Sequence, residues 1–215
     1  MQQKYSHYLA SKMYHYAPDD AAKDSFRKLI GAQMNKLVLH SFAAEVIEYM
    51  YTESQSDADR RQMIFSLYGN YSLVLDEVFP TKQSVPVGQA LKIFIEKKPQ
   101  MGATILTRLE PMVQKIIDKG NQRHTLIQAV MLDYVNCMAS TKDFEKLRHM
   151  ADQLKEKMPS LLASKEGLAV ACALFNLLDA KDRKAVVKSL PTEEMATNRI
   201  AHLFVIHVAN NLDDT

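Results

Sequence analysis

The stretch that decides the fold reads LHSFAAEVIEYMY, from Leu39 to Tyr51. In and just before it, apolar residues recur at steps of three and four positions, at Leu37, Val38, Phe42, Val46, Ile47 and Met50. This spacing puts their side chains on one face of an α-helix. Such a face needs a neighbouring helix to cover it, so the stretch predicts a helix packed inside a larger helical array.

The same period governs two later segments of the chain. It appears in Leu126, Ile127, Val130, Met131, Tyr134 and Val135, and again in Leu168, Ala171, Cys172, Phe175 and Leu178. There is no convincing run of alternating β-branched residues. The six glycines and seven prolines fall mostly between the apolar runs. The sequence therefore predicts an all-α protein of many helices joined by short links.

Proline and glycine also predict where several helices begin and end. Pro18, followed by two aspartates, predicts a helix through Lys28, and Pro191 predicts a second helix start. The other expected boundaries are Pro111 as an early residue of a helix over Met112–Asp118, Gly120 as its stop, Pro159 as the end of a charged helix over Thr141–Met158, and a loop over Thr81–Gly88.

One short pattern recurs along the chain: a small or polar residue, often after His or Gly, opens a strongly apolar helix. The equivalent positions are Ser6, Phe42, Asn70, Thr125, Leu168 and Ala201. They are unequally spaced, so the pattern predicts an irregular array of helical repeats.

These segments resemble a known family. Tyr68-Gly69-Asn70-Tyr71, followed by an apolar run, is similar to the opening of the second helix of a pumilio repeat. Five longer segments resemble, in order, the divergent Puf-A group of pumilio proteins, and they are Leu39–Tyr51, Arg60–Glu77, Arg123–Tyr134, Glu166–Leu190 and Ile200–Thr215. The resemblance implies an α-solenoid, a superhelix of three-helix pumilio/armadillo-like repeats. It implies that residues 1–215 are one segment of about six irregular repeats, with the first and last incomplete, from a longer array.

The resemblance also implies which side chains would meet a nucleic acid. In sequence-reading members, two or three side chains of each repeat read one base. Asn70 and Tyr71 fit such a set, but Val74 stands where a polar residue belongs. In two further sets, Ser6 with His7 and Ala201 with His202 keep a polar or stackable group. The remaining three candidate sets are Phe42, Ala43 and Val46; Thr125, Leu126 and Ala129; and Leu168, Ala169 and Cys172. They offer one hydroxyl between them, so we expect no base-by-base code, which is how the Puf-A group is described.

Binding without a code depends on phosphate contacts from Lys and Arg. The candidate nucleic-acid-binding residues near second-helix starts are Ser6, His7, Lys36, Asn70, Tyr71, Lys119, Arg123, Lys165, Arg199 and His202. A further basic face is expected at Lys181, Arg183, Lys184 and Lys188. The alternatives are that each cation is a solvated surface charge and that Asn70 caps a helix.

Composition limits the other functional classes. Apolar residues are 47% and charged residues 24% of the chain, which is typical of a soluble intracellular protein, and the net charge of +2 allows only a local basic patch. Cys137 and Cys172 have no metal-ligand spacing, and we interpret both as core residues. No catalytic motif occurs, and we expect no enzyme activity, cofactor, metal or membrane span.

Two functions remain. The first is RNA binding, or DNA binding, with little sequence preference. The resemblance implies a role in ribosome biogenesis on precursor ribosomal RNA, or in mRNA regulation, with a nucleolar location and pre-ribosomal proteins as further partners. The second is a protein-interaction solenoid whose apolar, Met-rich concave face holds a peptide or a partner helix. Salt dependence separates the two, because only phosphate-driven binding weakens steeply with added salt.

Overall fold

The structure is a computed structural model, and it describes residues 5–54, 56–69, 78–79 and 87–211. The helices of the first part are α1 (Ser6–His15), α2 (Asp20–Gly31), α3 (Met34–Leu37), α4 (Ser41–Glu53) and α5 (Asp57–Leu67). Those of the second part are α6 (Ala90–Lys97), α7 (Pro99–Lys119), α8 (Thr125–Ser140), α9 (Phe144–Leu154), α10 (Lys165–Phe175), α11 (Ala180–Ser189), α12 (Thr192–Thr197) and α13 (Ala201–Asn211). Within these ranges there is no strand, which confirms the all-α prediction.

Five of the helices form a row, and they begin at, or up to three residues before, five of the six positions of the recurring sequence pattern. The sixth position, Asn70, lies outside the described residues. Helix α1 packs against α4, α4 against α8, α8 against α10, and α10 against α13. The remaining helices lie beside this row: α2 and α3 pack against α5, α6 packs against α7 and α8, and α9 packs against α8 and α10. Helices α4, α8 and α10 therefore each pack between a preceding and a following row helix, as in an α-solenoid.

Ring contacts show that α1 and α4 run in the same direction. Near the two helix starts, the rings of His7 and Phe42 stack with centroids 5.2 Å apart. Near the two ends, Nδ1 of His15 lies 2.6 Å from the hydroxyl of Tyr49. Start meets start and end meets end, which is how equivalent helices of successive repeats stack.

Helix α8 is the centre of the core. Eleven of its sixteen residues are buried, including the polar Gln128 and Asp133. Asp133 accepts hydrogen bonds from the hydroxyl of Tyr68 (2.6 Å) and from the backbone N–H of Leu91 (3.3 Å). This carboxyl group thus ties the end of α5 and the start of α6 to the row.

Helix starts follow the capping residues of the sequence. The side chain of Asp19 accepts from the N–H of Ala22 at 2.7 Å, so the helix predicted at Pro18 begins there, although it continues to Gly31 rather than Lys28. Asp179 caps α11 in the same way, through the N–H of Asp182 at 2.7 Å. The predicted start after Pro191 is confirmed by α12, and the stop at Gly120 is confirmed by its left-handed φ of 73°.

Two proline boundaries were wrong. Pro111 lies in the interior of α7, which begins at Pro99. Proline cannot donate to the carbonyl four residues earlier, that of Thr107. Both residues are exposed, so water can satisfy this carbonyl. Pro159 lies inside a 3₁₀ segment over Lys155–Leu161, and the charged helix before it is α9, shorter than predicted at both ends. In the predicted loop, residues 81–86 lie outside the described residues, and a turn follows at 87–89.

Candidate functional site

The start of α8 is capped by a side chain of α4. Oε1 of Glu48 accepts from the N–H of Thr125 (2.8 Å) and from its hydroxyl (2.6 Å), and Oε2 accepts from the N–H of Leu126 (3.2 Å). The first N–H groups of a helix have no partner within the helix, and a carboxylate there also suits the helix dipole. Glu48 therefore fixes the start of α8 beside α4.

The starts of α8 and α10 are joined in the same region. Oε1 of Gln128 accepts from the hydroxyl of Ser164 at 2.6 Å, and this hydroxyl accepts from the N–H of Gly167 at 3.0 Å, which caps α10. Nε2 of Gln128 donates to the carbonyls of Gln122 and Ser160, each at 3.1 Å. The starts of α4, α8 and α10 consequently share one side of the row, which we call the helix-start edge.

Three predicted phosphate contacts are exposed beside helix starts. Lys36 precedes α4, Lys165 is the first residue of α10, and Arg199 precedes α13. Within the described part of the chain, none of these three side chains makes a hydrogen bond or an ion pair. They are available to an anionic ligand.

Two other predicted cations are engaged by the protein itself. Nζ of Lys119 donates to the carbonyl of Leu39 at 3.0 Å. The guanidinium of Arg123 pairs with the carboxylate of Glu45. Both are exposed, and these contacts place them beside the start of α4. A phosphate would have to compete with Glu45 for Arg123.

The predicted polar and aromatic contacts are placed differently. His7 is 9% exposed, and its ring packs on Phe42, so most of the ring is unavailable to a base. His202 is half-buried, with Nδ1 2.9 Å from the carbonyl of Asn198. Ser6 is half-buried at the start of α1. Asn70 and Tyr71, predicted as base contacts, lie outside the described residues.

The structure corrects which side chains of α4 face the solvent. Ala43 and Val46, assigned to a base-reading set, are fully buried. Ser41, Phe42 and Glu45 are exposed or half-buried instead, so the register shifts by one residue from the expected set. The exposed face of α4 carries two polar side chains, Ser41 and Glu45, that the expected set lacked. Glu45 is the residue that pairs with Arg123. On α8 the apolar members of the expected set are buried as well.

Two concave regions lie near these residues. A pocket of about 630 Å³ separates α1 from α4 and is lined by Tyr5, Tyr8, Phe42, Glu45 and Arg123, among others. A cleft of about 430 Å³ lies between α4, α5, α8 and α10 and is lined by Tyr51, Thr52, Asp57, Arg60, Arg61 and Glu166, among others. Sequence reasoning missed Arg60 and Arg61 as candidates, because they lie on α5 and not at the start of a row helix.

Other residues belong to the packing of the fold. In the predicted basic run, Arg183 donates to the carbonyls of Leu178 and Asn176, each at 3.0 Å, so it closes the α10–α11 link. Burial raises the pKa of Cys137 to about 12 and that of Cys172 to about 11, so neither thiol is activated. Burial also lowers the pKa of His124, which favours its neutral form.

Most of the methionines lie in the core and do not form an exposed binding surface. Nine of the twelve methionines are buried, and these are Met34, Met50, Met63, Met112, Met131, Met138, Met150, Met158 and Met195. They fill space between helices, so the Met-rich concave face expected for a peptide-binding solenoid is not seen in the described residues.

No site for a metal ion emerges from the described residues, since no three His, Cys, Asp or Glu side chains are grouped to hold one. None of the described helices is both long enough and apolar enough to cross a membrane.

Comparison with known proteins points to one family. The chain is 28% identical to "Pumilio homology domain family member 6" of Schizosaccharomyces pombe over 84% of its length, and 26% identical to human "Pumilio homolog 3" over 99%. It is 26% identical to "Pumilio domain-containing protein 12" of Caenorhabditis elegans over 80%. The matches cover 27%, 31% and 21% of these relatives, so the chain spans about a fifth to a third of their length.

No protein-family profile matches the chain, and no solved structure does. Each of the three relatives nevertheless matches the chain over 80% or more of its length, and the row of stacked helices is the architecture that the pumilio resemblance predicts. Together these observations identify the chain as a divergent pumilio-domain protein.

Proposed function

We propose that the chain binds RNA with little sequence preference, through phosphate contacts along the helix-start edge. The observation that carries this proposal is the set of exposed cations beside the helix starts, Lys36, Lys165 and Arg199, which have no partner among the described residues. Cations placed next to helix N-termini suit phosphate, because the helix ends also carry partial positive charge. Lys119 and Arg123 extend the set toward the start of α4.

The lack of a base code has a structural basis on two row helices. Reading a base edge needs a polar side chain that can reach it. On α8, Leu126 and Ala129 are buried, and on α4 the exposed Glu45 is held by Arg123. These helices offer few groups for base edges, which supports binding to the strand backbone.

The cellular role that we propose follows the family. The relatives are named for the pumilio domain, and the Puf-A resemblance adds ribosome biogenesis on precursor ribosomal RNA, or mRNA regulation, with a nucleolar location. We further propose that the chain contributes about six irregular repeats and that pre-ribosomal proteins and DNA are additional partners.

The proposal is tested by polarisation of a labelled strand. The wild-type chain is titrated with a random single-stranded RNA, a uridine-rich RNA and a duplex, at several salt concentrations. We expect similar affinities for the two single strands, with a steep loss as salt rises. The triple variant Lys36→Gln/Lys165→Gln/Arg199→Gln should bind at least tenfold more weakly. Its salt slope should fall by about two, because each phosphate contact on a single strand contributes about 0.7.

A matched control removes the same charge elsewhere. Lys92, Lys115 and Arg148 are exposed on α6, α7 and α9, away from the helix starts of the row. The variant Lys92→Gln/Lys115→Gln/Arg148→Gln has the same net charge as the first triple variant. Equal binding by the two variants would show that general positive charge, rather than the helix-start edge, drives the association.

A second candidate function rests on a groove between α7 and α9. It has a volume of about 780 Å³, an apolar floor that includes Val113, Ile117 and Met150, and a charged rim where Lys146 pairs with Glu110 at 2.7 Å. Such a groove suits a short peptide of a partner protein. Partner binding there would be insensitive to salt and unaffected by either triple variant.

A further inference from the structure

We propose that Gln128 is a positioning residue for strand binding. It holds the exposed cations at the starts of two successive row helices, α8 and α10, at a fixed spacing, so that both contact the same strand. The inference rests on the proposed RNA-binding function, and it adds which buried side chain sets the spacing of the phosphate contacts.

Gln128 lies where two links of the chain meet. The first link, residues 120–124, joins α7 to α8 and carries Arg123. The second, residues 155–164, joins α9 to α10 and ends immediately before Lys165. Both cations are exposed, whereas Gln128, in the first turn of α8, is fully buried. A buried side chain is therefore placed to hold both cation-bearing segments.

The amide of Gln128 uses all of its polar atoms to join the two links. Nε2 donates to the carbonyl of Gln122 in the first link and to that of Ser160 in the second, each at 3.1 Å, which satisfies both of its hydrogens. A longer contact of 3.4 Å joins Nε2 to the carbonyl of Arg123. Oε1 accepts from the hydroxyl of Ser164 at 2.6 Å. One side chain thus reaches Arg123 itself and the residue directly before Lys165.

Close packing around Gln128 holds the start of α10 in place. A side chain at Gly167, in the first turn of α10, would collide with the carbonyl of Leu161 and with Gln128. The amide of Gln122 adds another bond between the links, to the hydroxyl of Ser160 at 3.1 Å. The starts of α8 and α10 are therefore fixed against each other by direct contact.

Fixed spacing matters because one strand has to bind both cations. Once one phosphate is bound, a second contact that is already in place adds affinity without the entropic cost of ordering a loose segment. If the two links could move independently, the strand would have to order them. Loss of the Gln128 hydrogen bonds should therefore weaken binding although it removes no charge.

The test measures the salt dependence of affinity for a labelled random single-stranded RNA, by polarisation on the full chain. Gln128→Met nearly keeps the length of the side chain and leaves the net charge unchanged, but it removes the donors and the acceptor that join the links. We expect about threefold weaker binding and a smaller salt slope than in the wild type.

A double-mutant cycle separates positioning from a general loss of stability. In the wild-type background, Lys165→Gln should weaken binding about threefold and lower the salt slope by about 0.7. In the Gln128→Met background the same substitution should change both much less, because Lys165 is no longer held where the strand passes. Arg199→Gln, before α13, should cost the same in both backgrounds. A variant that was merely less stable would leave the effect of Lys165→Gln unchanged.

Ser164→Ala is a milder second variant in case Gln128→Met does not fold. It removes only the hydroxyl that donates to Gln128 and accepts from the N–H of Gly167. It too should reduce the effect of Lys165→Gln. The matched control is Ser56→Ala, which removes the hydroxyl that accepts from the N–H of Ala58 at 3.2 Å and caps α5. This control should bind as the wild type does and keep the full effect of Lys165→Gln.

The outcomes separate this inference from the proposed function. If Lys165→Gln weakens binding equally in the wild-type, Gln128→Met and Ser164→Ala backgrounds, the positioning role is overturned and phosphate binding at the helix-start edge stands. The positioning role is also overturned if Ser56→Ala reduces the effect of Lys165→Gln as much as Ser164→Ala does. If neither Lys165→Gln nor Arg199→Gln weakens binding in the wild-type background, these cations do not contact the strand, and both proposals are overturned.

Discussion

At the scale of single residues, Asp133 is the buried acid on which the centre of the fold depends. Its carboxyl group is 1% exposed and has two hydrogen-bond donors, Tyr68 and Leu91. Burial raises its pKa from the ordinary 3.8 to about 6, although both hydrogen bonds oppose the rise. The charged form is thus disfavoured in the folded chain relative to the unfolded one.

This shift predicts how stability depends on pH. An acid whose pKa is higher when folded binds more protons in the folded state, so its contribution is favourable below pH 4 and is lost as pH rises through 6. The loss is about 3 kcal/mol at pH 7, from 1.36 kcal/mol per pKa unit. Asp133→Asn removes this titration. We therefore expect the unfolding free energy of this variant, minus that of the wild type, to increase by about 2 kcal/mol between pH 4.5 and 7.

Urea denaturation of both proteins at several pH values measures that difference. Contributions from all other titrating groups cancel, because they are the same in the two chains. A difference that stays constant over this pH range would mean that Asp133 keeps an ordinary pKa in the folded protein.

At the scale of elements, the contact between α4 and α8 shows how one repeat specifies the start of another. Glu48 supplies the cap that α8 lacks in its own sequence, since His124, immediately before the helix, makes no capping hydrogen bond with its side chain. Capping residues elsewhere in the fold are local, as at Asp19 and Ser164. The α4–α8 junction should therefore be more sensitive to a distant substitution than to a local one.

A double-mutant cycle tests this junction. Glu48→Ala removes acceptors for two N–H groups and one hydroxyl, and we expect it to cost about 1–2 kcal/mol of unfolding free energy. Thr125→Ala removes the hydroxyl alone and should cost less. The coupling between the two substitutions should be about 0.5–1 kcal/mol, measured by urea denaturation. Simple additivity would show that the hydroxyl contributes nothing through Glu48.

The helix boundaries show which features of the fold the sequence could predict. Helix starts with a local cap, such as the one at Asp19, were predictable because the signal lies within three residues of the helix. The helix start predicted at Pro111 was wrong because a proline can lie inside a helix when the carbonyl that loses its hydrogen bond, here that of Thr107, can bind water instead. The register on α4 was off by one residue because one position rotates a side chain by 100°, and only the neighbouring helices decide which face is covered.

The candidate site likewise has features that the sequence predicts and features that only the structure shows. Exposure of Lys36, Lys165 and Arg199 agrees with the sequence expectation that cations lie beside helix starts. The engagement of Arg123 by Glu45 joins residues 78 positions apart. No local pattern announces such a contact, so which cations remain available could not be read from the sequence.

At the scale of the whole molecule, the row of helices predicts a gradient of local stability. In stacked repeats each unit is stabilised mainly by its immediate neighbours. Helix α8 is covered by α4, α6, α7, α9 and α10, whereas among the described row helices α1 has only α4 and α13 only α10. Backbone amides of α8 should therefore exchange with deuterium most slowly, and those of α1 and α13 should exchange fastest within the row.

A single core substitution sharpens this prediction. Phe204 of α13 is fully buried and packs edge-on against Phe175 of α10, with ring centroids 5.9 Å apart. Phe204→Ala should cost about 3 kcal/mol and speed exchange in α13 and in the end of α10, while α1 keeps its wild-type rate because it shares no contact with α13 in the row. If α1 were accelerated as much as α13, the described helices would unfold as one cooperative unit, and nearest-neighbour stacking would not describe their stability.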